Sequence, residues 1–273
     1  MSKFYLSTPL YYVNDKPHIG HAYTTILADV IARYRRIMGD DVFFLTGTDE
    51  HGQKVQEAAE KRRVEPKDHV DEYVTRFKDL WKRLHISYDD FIRTTEPRHT
   101  IRVQELLTNL FERDEIYLDE YVGLYSVSEE RFVTEKEVEE GGFRQIKKLK
   151  EKNYFFRMSN YQDKLIDHIK SNPEFIQPKS RLNEVLGFLK KPLNDLCISR
   201  PKSRLKWGID IPFDKEYVTY VWFDALLNYV TAIGWCSDDD KFNKWWPADY
   251  HLMAKDILTT HAVYWPTMLM AAD

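Results

Sequence analysis

The 273-residue sequence predicts an α/β fold: a doubly wound parallel sheet interrupted by an inserted α+β domain. Three observations predict it. A β-prone run, a polar loop and a helical pattern lead into an unbroken apolar run within about 45 residues, the spacing of a right-handed βαβ unit. From Ile116 the texture changes to short β-like runs broken by charge. At Tyr217 the chain returns to long aromatic and apolar runs.

Phe4-Tyr5-Leu6 is the first strand, and Thr8, Pro9, Asn14, Asp15 and Pro17 mark the loop after it. From Ile19, apolar residues recur at Tyr23, Ile26, Val30, Tyr34 and Ile37, which predicts a helix closed by Gly39. His18 and His21 share one face of its first turn, where unpaired N–H groups and the helix dipole favour anions. Gly20 between them lets a planar or phosphorylated ligand approach the backbone. A bare His-x-x-His also fits polar surface residues beside a cap.

Val42-Phe43-Phe44-Leu45 has the pattern of a strand covered on both faces. Thr46–Gly52 follows it as Thr8–Pro17 follows the first strand, so both loops are expected at one crevice beyond the strands' C-terminal ends. Asp49 there suits the ammonium of an amino acid. It equally suits an N-cap for the helix carrying Val55, Ala58 and Ala59.

Pro66 to Leu84 is an amphipathic helix, Phe91-Ile92 a short buried stretch, and Thr94–Pro97 the start of a helix reaching about Asp114. Ile116–Leu118, Leu124–Val127 and Gly141-Gly142 open the insert, taken as residues 116–212 between catalytic halves 1–115 and 213–273. Within it, Asn153–Arg157 is strand-like, and Tyr161–Ile169 is a helix stopped by Asn172-Pro173. Lys179 to Lys206 carries eight basic residues against Glu184 and Asp195, either a solvated surface or a set of phosphate contacts. Tyr217–Phe223 reads as a strand, Asp224–Ile233 as a helix, and His251–Met253 as a strand ending at Ala254-Lys255-Asp256.

With 43% hydrophobic and 14% aromatic residues, the chain has ample material for a packed core. A formal net charge of −4 argues against indiscriminate coating of nucleic acid, while leaving room for a local basic face. Cys197 and Cys236 alone make neither a disulfide framework nor a zinc site. No run reaches the roughly 18 apolar residues of a membrane span, and no signal-peptide pattern opens the chain, so a cytoplasmic protein is expected.

Taken together, Thr8-Pro9-Leu10-Tyr11-Tyr12-Val13-Asn14, Pro17-His18-Ile19-Gly20-His21 and Thr46-Gly47-Thr48-Asp49-Glu50-His51-Gly52 resemble the N-terminal part of methionyl-tRNA synthetases, which are class I aminoacyl-tRNA synthetases with a Rossmann-like catalytic domain. The resemblance implies activation of methionine with ATP, accompanied by Mg2+, and transfer to the acceptor end of tRNA(Met). It assigns His18, Gly20 and His21 to the ATP phosphates, Asp256 to the ribose, and Lys255 to the catalytic set. Asp49 would hold the methionine ammonium, and Pro9, Leu10, Tyr12, Trp222, Ala225, Tyr229 and His261 would wall the side-chain pocket. His51 would orient its loop.

The sequence departs from this family in three places, the least consequential being Thr259-Thr260 before His261. Ser126 and Glu129 stand where many members have a Cys-x-x-Cys pair, and Gly141–Lys150 offers no Cys or His, so no structural zinc is expected. Ala254 replaces the usual glycine before Lys-Asp, and its methyl group could crowd the adenosine. The family's Lys-Met-Ser-Lys-Ser loop and anticodon-binding domain do not occur in these residues. Each lost transition-state contact costs on the order of 2.7–4 kcal/mol, so weak or no adenylation is expected until that C-terminal half is supplied as a partner. Two alternatives stay open: another His-x-Gly-His nucleotidyltransferase, and a non-catalytic module binding methionine or adenosine.

Overall fold

The computed structural model describes residues 2–126, 131–133, 138, 139, 141 and 145–272. Val127, Glu129 and Gly142, named above in the insert, lie outside them. The first section comprises β1 (Lys3–Ser7), β2 (Tyr11–Tyr12), α1 (Ile19–Ile37), β3 (Asp41–Asp49), α2 (Gln53–Arg62), α3 (Pro66–Arg83), β4 (Asp90–Arg93) and α4 (Pro97–Glu112). Next come β5 (Ile116–Ser126), β6 (Arg131–Val133), β7 (Ile146–Phe156), α5 (Gln162–Ser171), α6 (Lys179–Phe188), β8 (Leu196–Cys197) and β9 (Ser199–Pro201). The last section holds β10 (Tyr217–Thr219), α7 (Val221–Leu226), α8 (Asn228–Thr231), α9 (Asp239–Trp245), β11 (Tyr250–His251) and α10 (Trp265–Ala272).

A five-stranded, all-parallel sheet runs β11-β1-β3-β2, with β4 also paired to β3. Every strand therefore ends on the same edge, where ligand crevices of such sheets form. β3 is longer than its apolar run predicts. It continues through Thr46–Asp49 because β4 and β2 supply partners there, so Asp49 is the last residue of a strand and not part of a loop. Gly47 permits this close pairing: a Cβ at that position would lie 2.0 Å from the Ile92 carbonyl oxygen and 2.8 Å from Leu10 Cδ2.

Residues of the insert form an antiparallel sheet, β6-β5-β7-β8, with β5 and β7 paired from Ile116↔Phe156 to Ser126↔Ile146. Ile116, Tyr154 and Phe156 join the same core as Tyr5, Leu45, Ile92, Tyr229 and Trp265. The insert is thus held to the parallel sheet by shared apolar burial.

Two local expectations are corrected. The strand expected over Tyr217–Phe223 stops at Thr219, where its partner β9 ends; Asp224 N–H then donates to the Tyr220 carbonyl and the chain turns helical, so Trp222 sits on α7. The single helix expected from Asp224 to Ile233 is two short ones, broken at Leu227. The apolar stripe that predicts α1 also does not face the sheet. Thr25, Ala28, Asp29 and Ala32 are buried instead, with Ala28 and Ala32 packed on Phe4, Leu6 and Phe44.

Candidate active site

The β1–α1 junction places the two histidines. His18 is the N-cap of α1: its Nδ1 accepts from Gly20 N–H at 3.1 Å, and His21 Nδ1 accepts from His18 N–H at 3.3 Å. The rings thus satisfy helix N–H groups that the sequence reading left open for a ligand. They stack at 3.7 Å between centroids, with Tyr11 and Phe77 packed around His21. Acceptance at Nδ1 leaves Nε2 as the N–H donor of each neutral ring. Burial, reinforced by His18, pulls His21 down to about 4, which keeps it neutral near pH 7.

Gly20 has a structural use besides the one expected. A Cβ there would sit 3.0 Å from His18 Cε1 and 3.1 Å from its Nδ1, so glycine makes room for the capping ring. Gly20→Ala is expected to displace His18 and shift its ring resonances. An unchanged His18 ring chemical shift in the variant would refute this.

Asp49, 3% exposed, ends β3 beside Tyr12 of β2, and Val13 N–H donates to its carbonyl oxygen. The N-cap of α2 is Gly52 at φ 99°, so the alternative reading of Asp49 as that cap is set aside. Tyr12 and Trp222 meet edge to face at 6.4 Å, and Leu10 joins them against the core. Pro9 and Ala225 are buried. Tyr229, 1% exposed, has its phenol pushed well above the usual value, chiefly by burial, with the Asp49 charge adding to it. His261 Nδ1–H donates to the Ile257 carbonyl at 2.9 Å, so its Nε2 accepts from the Tyr229 hydroxyl at 2.7 Å.

Lys255 and Asp256 are exposed, in a short turn after β11. Because β11 runs parallel to β1, they lie on the sheet edge that carries the other candidates. Ala254 is exposed at φ −76°, a conformation open to any residue, so the backbone does not require glycine there.

Burial pulls His251 down to about 3, with His261 contributing, and pulls His261 down to about 4 against the Ile257 hydrogen bond. Both rings are neutral in the fold, whereas the unfolded chain protonates them near pH 6.5. Stability is therefore complete above pH 6.5 and falls between about 6.5 and 4, by about 1.4 kcal/mol per pH unit for each ring. Unfolding free energies from urea titrations at pH 7.5, 6 and 5 check this; a flat or opposite trend would refute it.

One buried arrangement was missed. Asp224, fully buried on α7, bonds His51 Nδ1 at 2.6 Å and His99 Nε2 at 2.7 Å, and His99 Nδ1 reaches Thr231 Oγ1 at 2.9 Å. Burial alone would raise the Asp224 carboxyl, but the two imidazoles hold it below the usual range. It ties the turn after Asp49 to the helix carrying Trp222 and Ala225. The signal was present in α4, where His99 lies on the same buried stripe as Val103, Leu106 and Leu110. A polar ring on an apolar stripe requires a partner. Glu50 is similarly locked, with Arg93 at 2.6 and 2.8 Å and hydroxyls of Thr48 and Thr95 at 2.6 Å.

The basic run divides. Arg200 is buried, Lys202 and Arg204 pair with Asp210 and Glu151, and Arg181 pairs with Glu184, while Lys179, Lys190, Lys191 and Lys206 are exposed.

A parallel sheet with a histidine-capped helix after its first strand, and a buried carboxylate ending the neighbouring strand, defines an α/β protein of the doubly wound class, whose ligand crevices form at that edge. The family described as "tRNA synthetases class I (M)" matches residues 4–142 and 143–273. The chain belongs to that family. It is 51% identical to the methionine–tRNA ligase of Clostridium acetobutylicum over 99% of its own length and 43% of that protein. It is 49% identical to that of Listeria monocytogenes with the same coverage. Among solved structures, the Mycobacterium tuberculosis methionyl-tRNA synthetase in complex with methionyl-adenylate matches at TM-score 0.94 and 43% identity, over all of this chain and 55% of that one. The free form of that enzyme matches at 0.81. The chain thus spans about half the length of the relatives it matches.

Proposed function

We propose that this chain is the methionine- and ATP-binding part of a methionine–tRNA ligase, which joins methionine to AMP and passes the methionyl group to the acceptor end of tRNA(Met). The observation that carries this reading is the 0.94 TM-score to a synthetase holding methionyl-adenylate, together with the stacked His18 and His21 pair at the first helix start. In the reaction the methionine carboxylate oxygen attacks the α-phosphorus of ATP and pyrophosphate leaves. Charge grows on the phosphate oxygens, and the Nε2–H groups of His18 and His21 supply fixed donors for it. Lys255 contributes a cation and Asp256 holds the ribose.

Asp49 binds the substrate ammonium in a buried setting, where charge attraction is strong. Pro9, Leu10, Tyr12, Trp222, Ala225, Tyr229 and His261 enclose the side chain. A neutral His261 tied to the Tyr229 hydroxyl presents no charge to the thioether, which packs well against aromatic edges. Among the described residues, no group of three or more His, Cys, Asp or Glu side chains could hold a metal ion. Mg2+ would arrive bound to the phosphates of ATP, as that ion commonly does. Exposed Lys179, Lys190, Lys191 and Lys206 are the candidates for tRNA phosphates. Residues 116–212 act as the connective insert. No described helix is long and apolar enough to cross a membrane, and a cytoplasmic setting fits the two free thiols.

Calorimetry with methionine, alone and with a non-hydrolysable ATP analogue, tests the reading. Methionine is expected to bind in preference to leucine and to bind more tightly with the analogue. Equal binding of leucine and methionine, or none of either, would overturn it. Pyrophosphate exchange by this chain alone is expected to be weak.

A further inference from the structure

The two imidazoles at the start of α1 are not equivalent. His18 is exposed, whereas His21 is half-buried and enclosed by rings. The His21 centroid lies 3.7 Å from that of His18, 4.7 Å from Tyr11 and 5.5 Å from Phe77, and its plane is tilted 42° to Tyr11 and 39° to Phe77. Tyr11 and Phe77 are themselves stacked at 6.1 Å, and Trp81 of α3 backs them at 5.8 and 6.2 Å. Tyr11 is buried, and Phe77 and Trp81 are wholly so, which leaves these rings little room to move.

A hydrogen-bonded link ties Tyr11 and His21 a second time. Thr25 Oγ1 donates to the His21 carbonyl at 2.9 Å, which uses its one hydrogen. The Tyr11 hydroxyl, 2.7 Å from Thr25 Oγ1, is therefore the donor in that contact. Tyr11 thus packs against the His21 ring and reaches, through Thr25, the His21 backbone. Because Nδ1 accepts from His18 N–H, the remaining polar atom of the ring is its Nε2–H.

Strand β2 couples this hold to the other half of the candidate site. Side chains alternate across a strand, so Tyr11 turns to His21 while Tyr12 turns to Trp222. Pairing with β3 sets Tyr11 opposite Thr48 and Tyr12 opposite Asp49. We propose that the aromatic face of Tyr11, backed by Phe77, is the positioning element for His21, and that β2 thereby sets the spacing between the His21 donor and the Asp49 carboxylate. A ring held before the ligand arrives is a preorganised donor, with no ordering cost left for the bound state. The same packing withdraws the ring from water, which is the chief cause of its fall to about 4, and His18 adds to it. Burial pushes the Tyr11 phenol up to about 12, so it stays uncharged, and Phe77 brings no charge. The use of the Nε2–H on phosphate oxygens rests on the function proposed above; the hold itself does not.

Imidazole NMR of the isotope-labelled chain reads the hold, and calorimetry reads its use. In Tyr11→Leu the His21 midpoint is expected to rise by about one pH unit or more, toward the ordinary value of about 6.5. Affinity for a non-hydrolysable ATP analogue is expected to fall about tenfold, the worth of one hydrogen bond to a charged oxygen, while methionine affinity changes by less than about threefold. Tyr11→Phe keeps the ring face and drops only the hydroxyl, so it is expected to stay within about half a pH unit and about threefold of the parent. Phe77→Leu keeps most of the volume and is expected to move the same readings in the same direction, which covers a Tyr11→Leu chain that does not fold. A His21 midpoint as in the parent in the leucine variants would overturn the proposal. So would a loss of methionine binding in proportion to that of the analogue, which would make Tyr11 a structural residue only, and so would a Tyr11→Phe effect as large as that of Tyr11→Leu. Should the parent bind neither ligand, the function proposed above fails, and the His21 titration still decides whether Tyr11 holds the ring.

Discussion

Asp224→Ala is expected to lower the unfolding free energy by about 3–5 kcal/mol, the usual cost of removing one partner from a buried charged arrangement. The carboxylate is fully buried and is the shared acceptor for His51 and His99, so its loss leaves two interior imidazole nitrogens without their partner at once. Those nitrogens come from the turn after β3 and from α4, while Asp224 is on α7, so three segments distant in sequence lose a common tie. Asp224→Asn keeps the shape and one acceptor oxygen, and should recover part of the loss. Urea unfolding of both variants measures this. A change below about 1 kcal/mol in the alanine variant would show that the arrangement contributes little beyond filling space.

Asp49→Ala is expected to act on the ligand more than on the fold. Removing one partner of a desolvated charge pair commonly costs 2 kcal/mol or more, so methionine affinity should fall at least about 30-fold. The thermal midpoint should stay within about 4 °C of the parent. Calorimetry and a thermal melt on the same preparation separate the two effects. Unchanged affinity would remove Asp49 from the ammonium site, and a collapse in stability with proportionate loss of binding would make it structural.

The first βαβ unit was legible because its period changes twice in a short stretch. An apolar run of strand length, a Pro- and Asn-marked loop and a long 3.6-residue repeat leave few other foldings for residues 3 to 45. The positions of α3, β4 and α4 were legible for the same reason, each within a few residues of its predicted bounds. The His18–His21 pair was legible as a feature of a helix start. Its geometry was not, because a ring capping its own helix and a ring awaiting an anion have the same letters at the same spacing. Gly20 shows the difference: the sequence reading gave it to a ligand, and the structure places the His18 ring against it.

The strand to helix change at Tyr220 was illegible for a different reason. Val, Thr, Tyr, Trp and Phe all favour strands, and Tyr217–Phe223 is made of little else. Whether such a run stays extended depends on a partner, and β9 offers only Ser199–Pro201. Beyond it the backbone satisfies its own N–H groups by turning helical, which moves Trp222 toward Tyr12.

What the sequence by itself determined here is local: the periodicities, the loop chemistry, and a set of motifs specific enough to point to one family. What only the tertiary structure decided is that the small-residue face of α1, with Ala28 and Ala32, meets the sheet in place of the larger apolar stripe, where β3 ends, and that His51, His99 and Asp224 share one buried charge. The physical reason is that periodicity reports the spacing of side chains along one element, whereas burial and hydrogen-bond partners belong to pairs of elements.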